Sequence, residues 1–449
     1  MPLTPPSAHS SGDSRRPGRR HDREIFRLAL PAFGALVAEP LFLLADHAIV
    51  GRLGTTALGA LGVAGAALTT LVNLCVFLAY GTTAAVARQA GAGDLRRGVK
   101  LGVDGLWLAA AIGLVVIAAA WPLAPMIVDL FGASPALAAD AVTYLRISLF
   151  GTPAMLIVLA GTGVLRGLAD TVTPLVVSIG SFTLNALLNV WFVLGLGFGI
   201  AGSAWGTVLA QILGAVVYVA VVVRGARGHG ASLRPDLAGI RAAGTAGVAL
   251  VIRTASMRVA LIAATVAATR MGDAQIAAHA IASQVWTLLA FVLDAIAIAG
   301  QAITGRSLGA GDVPATRAAT RRMVFWGIWC GVACGVAVLA ARPFVPGLFD
   351  ADPAVAAALL AALWPVALLQ PIAGVVFVLD GVLIGAGDRR YLAWASVWTT
   401  LAYLPAVLLV VVAGGGLAAL WAVLGVWMLA RLVTLGSRAY GTAWLVTGA

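Results

Sequence analysis

Charge is scarce in this chain: Asp, Glu, Lys and Arg make up only 10% of its 449 residues, against 61% hydrophobic residues. A mean hydropathy of +1.00 excludes an ordinary water-soluble domain of this size. Cysteine is scarcer still, at three. Cys330 and Cys334 fall four apart inside an apolar run, a spacing that suits small packing residues and excludes a disulfide framework or a zinc loop. Catalytic signatures are missing too. The chain has no HExxH, no GxSxG and no Walker sequence, so a membrane-embedded enzyme is disfavoured, and no metal site or cofactor is expected. Gly195-Leu196-Gly197-Phe198-Gly199 joins two apolar runs rather than a strand and a helix, and reads as a tight turn.

What is present is apolar sequence in long stretches. A hydrocarbon core of roughly 30 Å takes about 20 apolar residues per helix, and twelve such stretches lie between Phe26 and Trp444. The expected fold is an all-α polytopic membrane protein. The net charge of +11 does not point to nucleic acid, because the basic residues sit in short clusters between apolar runs without an aromatic platform. They read as topology signals. Arg15, Arg16, Arg19, Arg20 and Arg23 precede the first span, and alternate loops carry Arg88, Arg96, Arg97 and Lys100, then Arg166, then Arg224 to Arg241, then Arg306 to Arg322, then Arg389 and Arg390. The intervening turns carry only Arg52, Arg270 and Arg342. The positive-inside rule therefore places both termini in the cytoplasm. A multi-pass protein of the cell (plasma or inner) membrane is expected. A cleaved signal peptide is excluded by the length of the first apolar stretch and by Glu39 and Asp46 within it.

The chain is written twice. An offset of 218 residues carries Arg52-Leu53-Gly54 onto Arg270-Met271-Gly272 and Gly91-Ala92-Gly93-Asp94 onto Gly309-Ala310-Gly311-Asp312. The same offset carries Pro135 onto Pro353, Pro153 onto Pro371, and Gly167 with Asp170 onto Gly385 with Asp388. One register over so many landmarks indicates a duplicated six-helix unit, and an even helix count makes the repeat parallel. The domains follow: an irregular N-terminus over 1–23, an N-lobe over 24–223, a linker over 224–241, a C-lobe over 242–440 and a tail over 441–449. Folds of this kind rock one lobe against the other around a central cavity, which points to a transporter.

Carboxylates deep in apolar runs are functional candidates, since burial costs about 2.5 kcal/mol or more on insertion scales. The reading singles out Glu39, Asp46, Asp294 and Asp380. Glu39 and Asp46 lie seven apart and so share a helix face, with Pro40 between them as a bend point. Loss of water favours the neutral form of a carboxyl, so Asp46, with Glu39, is the candidate proton-coupling group. Asn185 and Asn189, one turn apart, and Gln301 are candidate cavity residues together with Asp294 and Asp380. Structural glue between helices is the competing reading for each of them.

These residues resemble the multidrug and toxic compound extrusion (MATE) family, within it the DinF-like branch, over residues 24–435. The resemblance rests on Pro40 to Asp46 followed by Ala48-Ile49-Val50-Gly51-Arg52-Leu53-Gly54, on Gln89 to Asp94, on Asn185 to Gly202, and on Phe377 to Asp388. It implies twelve helices in two lobes forming a V, exporting amphipathic, often cationic small molecules in exchange for protons, with sodium ions less favoured. Asp46 matches the first-helix Asp to which proton coupling is attributed in that branch. Asn185 matches the fifth-helix Asn, but Asn189 stands where Asp is common, which leaves Asp46 as the only carboxylate among those N-lobe positions. Asp294 and Asp380 match acidic positions of the eighth and tenth helices. A flippase for lipid-linked precursors is the alternative within the same superfamily. It should line its cavity with Arg or Lys, whereas the deep charges here read as mostly acidic. The small-molecule substrate and the oligomeric state are not legible. The lipid bilayer is the expected surrounding, and no nucleic-acid partner is expected.

Overall fold

The computed structural model describes residues 17–132 and 134–448, without the side chains of 17–20 and of Glu39. The described residues contain helices and turns and no strand. They form two compact units: Gly34–Gly247, and Val248–Gly448 joined by the start of the chain up to Phe33.

The first unit takes the second half of α1 (Pro17–Val50), then α2 (Thr55–Leu74), α3 (Phe77–Gly91), α4 (Leu95–Ala120), the short α5 (Ala124–Leu130), α6 (Pro135–Leu149), α7 (Thr152–Gly167), α8 (Val172–Asn189) and α9 (Gly199–Gly228). The second contains most of α10 (Leu237–Arg270), then α11 (Asp273–Gly309), α12 (Val313–Ala341), the short α13 (Val345–Leu348), α14 (Pro353–Gly385), α15 (Arg389–Val412) and α16 (Leu417–Tyr440). Among the described residues, eleven helices are long and apolar enough to cross a membrane, α2 and α3 counting as one run. The pair α6 and α7, bent by 50° at Phe150 and Gly151, brings the number to twelve when taken as one span. Large apolar side chains such as Val115 and Leu409 stay exposed on the outside, an arrangement that suits lipid rather than water.

The repeat extends from the sequence into backbone geometry. Gly54 and Gly272 both stand at positive φ, 111° and 106°, before α2 and α11. Asp94 and Asp312 both cap the next helix, each accepting at 2.8 Å from the backbone N–H three residues on. Helix contacts repeat as well. A Cβ on Gly163 would meet the Ala79 carbonyl and one on Gly167 the Thr83 carbonyl; 218 residues on, Gly381 and Gly385 stand in the same way against Ala297 and Gln301. The absence of a side chain lets these backbones approach closely, as small residues do between membrane helices. The copies differ in where their helices break, as at α2 and α3, whose counterpart α11 is continuous. Where α6 and α7 break, α14 runs unbroken over 33 residues through Pro365 and Pro371.

The connections are shorter and better packed than the sequence suggests. Most of the expected irregular N-terminus lies outside the described residues, and from Pro17 onward the chain is helical. Asp22 accepts from Arg322 and from Trp326 Nε1, and Glu24 pairs with Arg306, which ties the start of α1 into the second unit. The linker expected over 224–241 narrows to residues 229–236, since α9 extends to Gly228 and α10 begins at Leu237. It is latched to α4. Asp104 pairs with Lys100 and accepts from Asp236 N at 3.0 Å, while Trp107 Nε1 donates to Leu233 O at 3.1 Å. The tail is packed too, with Trp444 buried and Gly448 N donating to Leu308 O.

Candidate functional site

In the first unit, α1, α8 and α9 bring one carboxylate among neutral polar groups. Asp46, on the last turns of α1, is only 3% exposed. Asn189 Nδ2 donates to its Oδ1 at 2.6 Å, and Ser203 Oγ donates to the same oxygen at 3.0 Å. Asn189 Nδ2 also donates to Asn185 Oδ1 at 2.9 Å, and Asn185 Nδ2 donates to Thr207 Oγ1 at 2.9 Å. Tyr144, from α6, sets its hydroxyl beside Ser203, Thr207 and Ser148 and close to Asp46. No cation pairs with Asp46 among the described residues.

Local structure explains how these groups meet. Asn185 and Asn189 are one turn apart on α8, and Ser203 and Thr207 one turn apart on α9, so two polar pairs face each other. Gly206 permits the approach, because a Cβ there would strike Asn189 Oδ1. Directly after Asn189 the helix widens into a π-helical stretch, Val190–Gly195, of the kind that gathers at functional sites. Helix α1 is continuous through Pro40, and the Glu39 side chain lies outside the described residues. His47 points elsewhere, with Nδ1 2.6 Å from Leu43 O.

The second unit holds a different cluster. Arg253 of α10 engages both oxygens of Asp380 of α14, with Nε 3.2 Å from Oδ1 and Nη2 on Oδ2. Arg431 of α16 lies 3.6 Å from the same Oδ2, and all three side chains are buried. This corrects the expectation that the deep charges are mostly acidic. Two guanidinium groups surround one carboxylate, and Arg253 is in the buried set. Arg258, further along the same helix, is exposed. Gln301 is buried with Oε1 unpartnered, and Asp294 is half-buried. Asn185 and Asn189 belong to the first unit, and Asp294, Gln301 and Asp380 to the second. An apolar groove of about 500 Å³ between α7 and α9, lined by residues such as Pro153, Ile157 and Val216, holds no polar group that could orient a ligand.

Ser203, Thr207, Tyr144, Arg431 and Asp104 escaped the sequence reading. The i, i+4 spacing of Ser203 and Thr207 was a usable signal, as was a lone Arg deep in the apolar run of α16. Asp104 was hidden by its position near the start of α4, although it is 1% exposed.

The MatE family pattern matches residues 31–191 and again 249–409, two segments separated by the 218-residue offset of the repeat. Protein DETOXIFICATION 44, chloroplastic, of Arabidopsis thaliana is 30% identical over 440 residues, covering 92% of this chain and 82% of that protein. DNA damage-inducible protein F of Escherichia coli is 29% identical over 377 residues, covering 81% of each. Among solved structures, a MOP superfamily transporter from Pyrococcus furiosus superposes with a TM-score of 0.84 at 21% identity, over 94% of this chain and 96% of that one, and so shares the fold. A doubled family pattern, a fold with two repeated lobes and relatives matched over most of the chain agree: the chain belongs to the MatE family of multidrug efflux transporters.

Proposed function

We propose that the protein exports small amphipathic organic molecules by alternating access, driven by inward movement of protons, with Asp46 carrying the proton. The observation that supports this reading is Asp46 itself: a carboxyl nearly closed to solvent, held by Asn189 and Ser203, and without a cationic partner among the described residues. An unpaired charge is costly in such a place, so the group gains from taking a proton or another positive group. Asn189 and Ser203 donate to the ionised form, which keeps that form accessible and allows the proton to leave. Tyr144, Ser203 and Thr207 offer hydroxyl groups along which a proton can reach Asp46. Protons are favoured over sodium ions because Asn189 supplies an amide where a second carboxylate would strengthen a metal-ion site. The Arg-bearing turns favour a cell-membrane protein with both termini in the cytoplasm.

The experiment is dye efflux from proteoliposomes with proton and sodium gradients imposed independently. Asp46→Asn keeps the hydrogen-bonding shape and removes the charge change. It is expected to abolish proton-driven export while the protein remains inserted and monodisperse. Export by this variant at the wild-type rate would make Asp46 helix glue.

A further inference from the structure

Among the described residues the chain passes from one unit to the other at two places, after Phe33 inside α1 and after Gly247 inside α10. The leading helix of each copy therefore starts in the unit that the rest of its copy does not form. A charged side chain holds each starting segment, and the two holding residues occupy one position of the repeat: Asp104 on α4 and Arg322 on α12 are 218 residues apart. Arg322 Nε and Nη2 donate to the two oxygens of Asp22 at 2.5 and 2.7 Å, and Trp326 Nε1 donates to Asp22 Oδ1 at 2.7 Å. In the first unit Asp104 pairs with Lys100 and accepts from Asp236 N at 3.0 Å, and Asp236 Oδ1 in turn accepts from Ala238 N at the first turn of α10. Lys100, Asp104 and Trp107 share one face of α4, and together they hold Arg234 O, Asp236 N and Leu233 O.

The two grips use opposite charges. On α12 a guanidinium fork takes a carboxylate, and on α4 a carboxylate takes the positive start of a helix. Gly239 permits the second approach, since a Cβ there would come within 2.8 Å of Asp104 Oδ2. What the repeat preserves is the segment held, not the chemistry that holds it. Stability alone is a weak reason for the pair on α12, because its side chains are 34% and 20% exposed and partly exposed ion pairs contribute little. A bidentate contact instead fixes direction and rotation of a helix end that would otherwise fray. Helix α1 then runs unbroken from Asp22 to Asp46, 24 residues or about 36 Å, with its start fixed in the second unit and its proton site in the first.

We infer that Arg322 and Asp104 are positioning residues for transport, which hold the first turns of α1 and α10 so that a displacement at either helix works against a fixed end. The inference rests on the export reading above. Both residues act through the helices they hold: Arg322 through α1, which carries Asp46, and Asp104 through α10, which carries Arg253. The linker over 229–236 is on this account a strap and not a tether, and the freedom of the chain between the units begins inside α10, beyond Gly247. With an anchor broken, proton uptake and compound binding persist, but the displacement they cause dissipates at a loose helix end, and the rate of export falls.

The test is ethidium export by full-length protein in proteoliposomes, read as maximal rate and half-saturating concentration, with hydrogen exchange in detergent reporting on the held segments. Arg322→Glu and Asp22→Arg should each lower the maximal rate about fivefold or more and leave the half-saturating concentration within about twofold. Exchange over residues 21–30 should quicken in both. Combining the two substitutions recreates an ion pair of reversed sense and should restore about half of the rate or more. Asp104→Asn, which keeps an acceptor for Asp236 N, should lose less than Asp104→Ala, and exchange over 233–240 should quicken most in the Ala variant. Wild-type rates in variants whose held segments exchange faster would overturn the inference, as would a folded double variant no better than the single ones. A half-saturating concentration that rises in step with the loss of rate would also overturn it, since that marks damage to the compound site. If the Asp104 variants do not fold, the more exposed Asp22 and Arg322 series decides alone. Wild-type protein that exports no ethidium under a proton or a sodium gradient would sink the export reading, and this inference with it. Wild-type export that is indifferent to the anchors sinks the inference alone.

Discussion

Asn189 donates to Asp46 across 143 residues of sequence, at 2.6 Å, and donates from the same nitrogen to Asn185 one turn away. An amide therefore occupies the place from which a second carboxylate would face the first. That choice leaves amide and hydroxyl groups as the hydrogen-bond partners of Asp46 among the described residues.

Asn189→Asp should make Asp46 titrate as part of a pair. Two carboxyls at hydrogen-bond distance hold one proton between them and lose their protons in two macroscopic steps. The pH profile of efflux in proteoliposomes is expected to broaden or split, and stimulation by sodium is expected to appear. A profile that superposes on the wild type would show that position 189 does not communicate with Asp46.

Asp380 is bound into its surroundings more firmly than a free cavity carboxylate would be. Asp380→Ala takes from Arg253 and Arg431 the carboxylate they share and should destabilise the protein by about 3 kcal/mol or more, the usual penalty for breaking a buried pair. Asp380→Asn, which keeps an acceptor, should lose less. Thermal unfolding in detergent measures both, and an unfolding temperature unchanged in the Ala variant would mean that the pair is not stabilising.

Gly381→Ala should be destabilising by about 1–3 kcal/mol, since its methyl group would meet the Ala297 backbone where α11 and α14 are closest. Gly163→Ala, the equivalent position of the first unit, should behave alike. Gly62 is exposed and has no atom within 4 Å of an added Cβ, so Gly62→Ala should be neutral or slightly stabilising. Equal melting temperatures for the three variants would contradict close packing at the repeated contacts.

Orientation in the membrane can be read with single cysteines on exposed turns. In a background with Cys75, Cys330 and Cys334 replaced, Arg227→Cys on α9 should be shielded from impermeant reagent added to intact cells. Ala413→Cys, between α15 and α16, should react. The reverse labelling pattern would invert the topology.

How much of this was written in the chain differs from feature to feature. The duplication was fully legible, because landmark glycines, prolines and caps such as Gly54 and Asp94 act through local backbone geometry and so recur in sequence wherever they recur in space. The twelve spans followed from hydropathy, which depends on composition alone. Asp46 stood out because a carboxylate deep in an apolar run is rare, and its neighbours Asn185 and Asn189 could be placed on one face by helical spacing. Nothing local showed that Ser203 and Tyr144 complete its surroundings, since they come from other helices. The charge of the second cluster was likewise a tertiary decision. Asp380 alone suggests an acidic cavity, and only the packing of α10, α14 and α16 brings Arg253 and Arg431 onto it. Sequence determines which segments enter the membrane and where each backbone turns, because those depend on neighbours along the chain. The sign of a buried site depends on which helices pack together, and that is set by close contacts between residues far apart in the chain, such as Asp380 with Arg253 and Arg431.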